Sequence, residues 1–370
     1  MRTVARGYDA WPMITKRSLP GLWAGLVLAA ILLTPETARA EILLPSGFTV
    51  RVYVTGDGFE TSGGAGGRGI PTTPTLAVDH TGALYLARGG RRYSAGEFDY
   101  LQRMYRIPAG GTRVTPATEE RYFHGPPLIN AQVIGARGGH ELLVSTFDRD
   151  RRVGALYRLA SGRIQLFAGG TPERGLPPAL VQPEGAAVDA AGHVYVADRE
   201  RGVVVRLDAG GNVLDAGYVR VTRPRALAVD ETDHLWIGSD GNAEAPWQPG
   251  PGELWRVSPG GERRLVLEGP MAQGLAPGPG GVIFVADRQK GEIFAVSPDG
   301  TRMNLARFTD GDAPRGLAFV PSTAETRANG LAGNLLVAVT RTGSFQLNDI
   351  VRISGPFADL VQQRLGGTGR

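Results

Sequence analysis

Six positions carry the residue types and spacing that could recognise a ligand: Pro74, Asn130, Glu184, Arg225, Gln273 and Arg315. Each precedes a recurring short apolar strand, yet the set uses five residue types and is nearly all polar. A position that only supported a scaffold would repeat its residue. Arginine forks match carboxylates and phosphates, so the set points to a small polar or anionic ligand, of the sugar-acid or carboxylate kind. A hard divalent cation is the poorer fit, because it prefers several carboxylates and Arg225 and Arg315 would repel it. The competing reading is an Arg–Glu network that fills a water-lined channel and binds nothing specific.

Other chemistries have few residues to work with. Cysteine is absent, which excludes disulfides, thiolate metal sites and Cys nucleophiles. No Gly-x-Ser-x-Gly elbow is present for a Ser-His-Asp triad. Four of the five histidines, His80, His140, His193 and His234, fall in hairpin turns and read as exposed turn residues. His124, in Tyr-Phe-His-Gly-Pro-Pro on the loop entering the second repeat, is left as the candidate base. The sequence therefore leaves open whether the protein is an enzyme.

The elements that must position these residues are repeats. The stretch PEGAAVDAAGHVYVADRERGVVVRL (183–207) reads as three short strands joined by Gly-rich and charged turns. Its opening recurs at residues 73–87, 130–145, 224–238, 272–286 and 314–320. The third strand recurs as well, as Tyr105-Arg106-Ile107, Tyr157-Arg158-Leu159, Trp255-Arg256-Val257 and Val351-Arg352-Ile353. Repeats of this length with about four strands each indicate a propeller, here an all-β, six-bladed β-propeller of four-stranded antiparallel blades over residues 41–370. Closure needs a borrowed strand, and Gly47–Val54 is the expected outer strand of the last blade, with residues 357–365 as its competitor. The Gly-rich run at residues 56–69 lacks a Gly-Lys-Ser/Thr and reads as a linker rather than a phosphate loop.

Asp148, Asp198, Asp240 and Asp287 each follow a second strand, where an Asp can hold the backbone amides of its turn. The repeated third-strand Arg reads as a contact between blades. Three longer insertions carry Arg91, Arg92, Tyr93, Glu97, Tyr100, Trp247 and Phe345, a mixture typical of binding rims.

The N-terminus has Lys16-Arg17, the apolar run GLWAGLVLAAILL (21–33) and a small-x-small site at Ala38-Arg39-Ala40. This is the pattern of a signal peptide over residues 1–40, with a mature start at Glu41 and a periplasmic or secreted location. The run is short for a membrane span. Cleavage removes five basic and two acidic residues, so the formal charge falls from +4 to +1. No nucleic-acid face is expected at that charge, and nothing points to a protein partner. Lys290 is then the remaining lysine, in a turn, which leaves Schiff-base chemistry without a candidate.

The wording Pro-x-Gly-Leu-Ala-Val-Asp followed by Gly-x-Val-Tyr-Val-Ala-Asp, clearest at residues 183–207, 224–238 and 272–300, resembles the NHL-repeat and SMP-30/gluconolactonase-like six-bladed propellers. The resemblance implies a metal-dependent lactone hydrolase as an alternative function. Its divalent ion, such as Ca²⁺, would be held by Glu184, Asn130 and Gln273. Gln273 stands where that family has Asn, and the family's Asp has no counterpart. A second resemblance, to quinone-dependent sugar dehydrogenases, rests on LPSGFTVRVYV (44–54) and on residues 314–353. It implies a His base, for which His124 is available, but Thr340–Ser344 departs from that family's His-Gly-Ser.

Overall fold

A computed structural model describes residues 41–60, 66–89, 101–135, 141–160, 163–243, 248–342 and 347–365. The unit spanning residues 40–370 is built almost wholly from short antiparallel strands. Val, Ile, Leu and aromatic residues alternate faces along each strand, and Gly, Asp and Asn occupy the turns. The second to fifth repeats each form a separate blade, with strands ordered from the innermost outwards. In the third repeat these are Pro183–Val188, Val194–Asp198, Val203–Leu207 and Val213–Arg220.

Six separate blades are expected from the sequence, and the structure has four. The first and last repeats instead run together in one nine-stranded sheet. The join is made by Leu347 and Asn348 pairing with Pro71 and Ile70. Gly69 permits this approach, since a Cβ there would come within 2.9 Å of the Asn348 backbone.

The expected closing strand is present. Thr49–Gly56 pairs antiparallel with Leu347–Ser354, with Val52 opposite Val351. Two features were not foreseen. Ile42–Leu43 adds a fifth strand to the blade formed by Ala272–Phe308, pairing with Phe308 and Arg307. Residues Phe357–Leu365, the competing strand, are an α-helix whose Phe357 packs edge-on against Phe48, Phe284 and Phe319. The presumed linker also carries structure, a small pairing of Phe59–Glu60 with Gly66–Gly67.

The core lies between repeats. Six apolar clusters each join two neighbouring repeats, and one of them joins the last repeat to the first. Between the third and fourth, for example, Tyr195, Val204 and Val219 pack on Leu227, Leu235 and Ile237. Removing that apolar surface from water is the main force holding the ring together.

Polar turns fix each hairpin. Asp230 Oδ1 accepts the amides of Thr232 (2.9 Å) and His234 (3.0 Å), and its Oδ2 accepts Trp236 Nε1 (2.9 Å) and Arg256. Burial alone would raise the Asp230 carboxyl, but these hydrogen bonds hold it below the ordinary value. Asp189 does the same for His193 and Tyr195. His193 and His234 therefore serve their turns, while His140 lies outside the described residues. The third-strand arginines act mostly inside their own blade. Arg256 bonds Asp230 and Arg106 bonds the Tyr85 hydroxyl, whereas Arg158 reaches Ala209 of the next repeat.

Candidate functional site

The six innermost strands surround a central cavity of about 400 Å³. Its wall is apolar along most of its length, with Asp230 and Glu231 at the far end and Glu184, Arg225, Gln273 and Gln132 where the strands begin. Neighbouring strands are tightest at this end. A Cβ on Gly185 would lie 2.3 Å from the Arg225 carbonyl oxygen, on Gly274 2.5 Å from that of Arg315, and on Gly316 2.1 Å from that of Pro74. The glycine of the repeated Pro-x-Gly thus exists for backbone contact between strands, and ahead of Gly185 and Gly274 the preceding residue, Glu184 or Gln273, stands at the cavity mouth.

The six expected positions do not all meet there. Pro74, Glu184, Arg225 and Gln273 line the cavity. Asn130 does not. Its backbone is left-handed (φ 46°), and its side chain turns back to donate to the Phe147 carbonyl at 2.9 Å. Gln132, two residues later, takes the wall instead. Arg315 is also displaced from the wall, which begins in that repeat at Gly316, and it donates to Thr340 Oγ1 at 3.5 Å.

At the mouth the charges form a chain. Gln132 Nε2 donates to Glu184 Oε2 (2.6 Å), and Gln182 Nε2 to Glu184 Oε1 (2.7 Å). Arg225 donates to Glu184 Oε2 (3.1 Å) and doubly to Asp240 (2.6 and 2.9 Å). Arg199 closes the chain on Asp240 at 2.9 Å. Burial alone would lower the Arg225 pKa, but Glu184 and Asp240 outweigh it and raise it, so the guanidinium stays charged.

Asp240 is the functional residue that sequence reasoning misplaced. Asp198 accepts the amides of Val181 (2.9 Å) and Gln182 (3.1 Å), and Asp148 and Asp287 likewise accept turn amides. Asp240 instead occupies the position of Arg199. Its amide bonds the Arg223 carbonyl, as the Arg199 amide bonds Gln182 and the Arg288 amide bonds Met271. Ser239 stands where Asp198 would be, so matching by residue type slipped the alignment by one.

That alignment also exposes an unmet position in the fifth repeat. Asp287 corresponds to Asp198, and the residue corresponding to Val181 is Pro270, which has no N–H. Asp287 Oδ2 is accordingly buried without a hydrogen-bond partner. Burial pushes its carboxyl above the usual 3.8, against the pull of the Lys290 amide and charge. A carboxyl raised on folding costs stability above its folded pKa, and that cost is gone below its unfolded value. Asp287→Asn should therefore stabilise the protein by roughly 1 kcal/mol at pH 7, with the gain vanishing as pH falls below about 4. Thermal melts of both proteins across that range check this. A constant difference at all pH values would contradict it.

Two donors of the same repeat are also unmatched. Gln273 Nε2, on the cavity wall, is buried without a partner, as is Nη1 of Arg288. Burial, and then repulsion from Arg225, lower the Arg288 pKa. Its side chain has no carboxylate partner among the described residues.

The proposed metal ligands do not fit an ion. The groups converging on Glu184 are hydrogen-bond donors, a guanidinium among them, which is the inverse of an oxygen cage. Asn130 is directed elsewhere, and Gln273 makes no hydrogen bond to Glu184. Among the described residues, no group of three or more His, Asp or Glu side chains is placed to hold a metal.

His124 lies away from the cavity. It belongs to the outer strand Phe123–Ile129 of the first repeat, opposite Met104 and edge-on to Tyr85. It is a strand residue rather than a loop residue, and it is not positioned as a base for a ligand in the channel. Arg91, Arg92, Tyr93, Glu97, Tyr100, Trp247 and Phe345 lie outside the described residues.

The sequence model of the NHL repeat matches residues 180–207, the stretch that contains Glu184. The chain carries an NHL repeat in a β-propeller. A search of curated proteins finds no match. Among solved structures, the chain is similar to a Bacteroides thetaiotaomicron protein of unknown function at 9% identity, covering 85% of this chain and 76% of that one, with a TM-score of 0.54. An auxiliary nutrient binding protein from the same species is similar at 11% identity, covering 85% and 77%, with a TM-score of 0.51. Virginiamycin B lyase from Staphylococcus aureus follows at 10% identity, covering 83% and 99%, with a TM-score of 0.47. At these identities the likeness concerns the fold alone.

Proposed function

We propose that this protein is an extracytoplasmic propeller that binds a small anionic ligand, of the sugar-acid or carboxylate class, at the polar end of its central cavity. The observation that carries the reading is the donor set there: Arg225 and Gln273 line the cavity, and Gln273 Nε2 has no hydrogen-bond partner. A carboxylate would accept from it beside the Arg225 guanidinium. Arg225 and Glu184, already bonded to each other, shape the mouth. The N-terminal segment supports a periplasmic or secreted location through cleavage before Glu41. The nine-stranded sheet counts, in this reading, as two radial units, which gives a six-fold ring around the ligand. Neither nucleic acid nor a membrane span is part of the proposal, and among the described residues no helix is long and apolar enough to cross a bilayer.

The test is calorimetric titration with a panel of aldonates, uronates and simple carboxylates. Binding of at least one is expected, and Gln273→Met should weaken it at least tenfold while leaving the melting temperature of the ligand-free protein unchanged or higher. Gln273→Glu should abolish binding by placing a carboxylate against the anion. Undiminished binding in both variants, or no binding across the panel, would rule the site out.

A further inference from the structure

A second site lies outside the channel and rests on different residues. Between the blades of the third and fourth repeats is an open groove of about 570 Å³. Five arginines line it, against two carboxylates, Glu200 and Glu253. Two of the five are already matched, Arg199 by Asp240 and Arg201 by Asp198. The other three, Arg220, Arg223 and Arg263, have no carboxylate partner among the described residues. Two of these are held in place by other groups. Arg263 lies over the Trp255 ring, 5.2 Å from its centroid, and donates to the Arg220 carbonyl. Arg223 donates to the Asn242 carbonyl at 2.8 Å. Its backbone is left-handed (φ 48°), a conformation that favours Gly or Asn, so Arg is kept there against local preference.

Three clustered guanidinium groups without a direct carboxylate partner repel one another, and a ligand bearing several oxyanions relieves that repulsion. The lining also says which oxyanions. Glu200 pairs with Arg152 and Glu253 accepts from Trp255 Nε1 at 2.8 Å, and when ionised both accept further hydrogen bonds and donate none. A polyphosphate has nothing to offer them and is repelled by them, whereas sugar hydroxyls donate to carboxylates as readily as they accept from arginine. Trp255 adds a ring of the kind that packs on sugar faces.

We propose that this groove binds an acidic oligosaccharide, with successive uronate carboxylates held by Arg220, Arg223 and Arg263. The groove and the cavity mouth share one element, since Arg199 lines the groove and bonds the Asp240 that holds Arg225. The two sites are nonetheless separable, because Arg220 and Arg263 touch neither Glu184 nor Gln273.

The experiment is titration of the full chain with trigalacturonate at low salt, followed by calorimetry and tryptophan fluorescence. Saturable binding that weakens with salt is expected, together with at least a tenfold loss in the Arg220→Ala/Arg263→Ala double variant. Both side chains are exposed, so the variant should melt as the parent does. The Arg220→Lys/Arg263→Lys variant should fall between the two, because it keeps charge and loses the fork. Gln273→Met, in the channel, should leave trigalacturonate binding intact. The proposal is overturned if the alanine variant binds the trimer unchanged, or if a neutral galactose trimer binds as well. It is equally overturned if tripolyphosphate binds more tightly, or if binding is lost only in Gln273→Met, which would assign the trimer to the channel.

Discussion

Arg225→Ala should destabilise the protein by about 3–5 kcal/mol, the usual consequence of removing one member of a buried ion network. Its guanidinium bonds two carboxylates, Glu184 and Asp240, that are 5% and 0% exposed. Taking it away leaves Asp240 to Arg199 and Glu184 to two amides, with no cation on Glu184. The loss is thus mainly the cost of an uncompensated buried charge, not the worth of the bonds themselves. A paired substitution separates the two. Arg225→Met with Glu184→Gln removes the cation and the stranded charge together, and should recover a large part of the stability. Denaturant unfolding of the two variants measures both effects. If Arg225→Ala unfolds at the same denaturant concentration as the parent, Arg225 is not the neutralising centre described here.

Gly316→Ala should have an effect of similar size, about 3 kcal/mol, at the upper end for overpacking. The new Cβ would sit 2.1 Å from the Pro74 carbonyl oxygen, and backbone cannot swing aside as a side chain can. Gly316 belongs to the last repeat and Pro74 to the first, so the strain falls on the contact that completes the ring. Gly217→Ala is the control, because a Cβ there meets nothing within 4 Å. It should change stability by less than about 0.5 kcal/mol. Equal melting temperatures for the two variants would show that the inner strands can spread without cost.

The architecture was legible because a propeller repeats its chemistry. Period-2 strands, Asp-containing turns and the N-terminal strand Thr49–Gly56 all follow from local pattern. Continuity between sheets did not, because the Leu347–Pro71 and Asn348–Ile70 pairings have no signature in either segment alone. The candidate site was half legible. Glu184, Arg225 and Gln273 reach the cavity because Gly or Ala behind each lets the strands close up. Asn130 was misread because a left-handed backbone at that residue changes the register, which residue type does not reveal. Arg288 was missed, and Asp240 was matched to the wrong position, for a different reason. They sit one residue past the strand, where adjacent repeats exchange Arg and Asp freely, so comparison between repeats hid a shift of one. The consequence of Pro270 was invisible for the same reason, since a missing N–H matters only once its intended acceptor is known.

The pairing of Val52 with Val351 also fixes the order in which this chain can mature. Those residues are separated by most of the polypeptide, so their meeting carries the entropy cost of closing a very long loop. The middle blades are made from neighbouring hairpins and need no such meeting. A ribosome that has released only the early part of the chain therefore holds an N-terminal strand paired on one side with Thr112–Val114, its other edge unpaired until residues 347–354 emerge. The ring acts as a late checkpoint: any chain cut short before its last repeat keeps that edge exposed, and with it a handle that chaperones and proteases can grip.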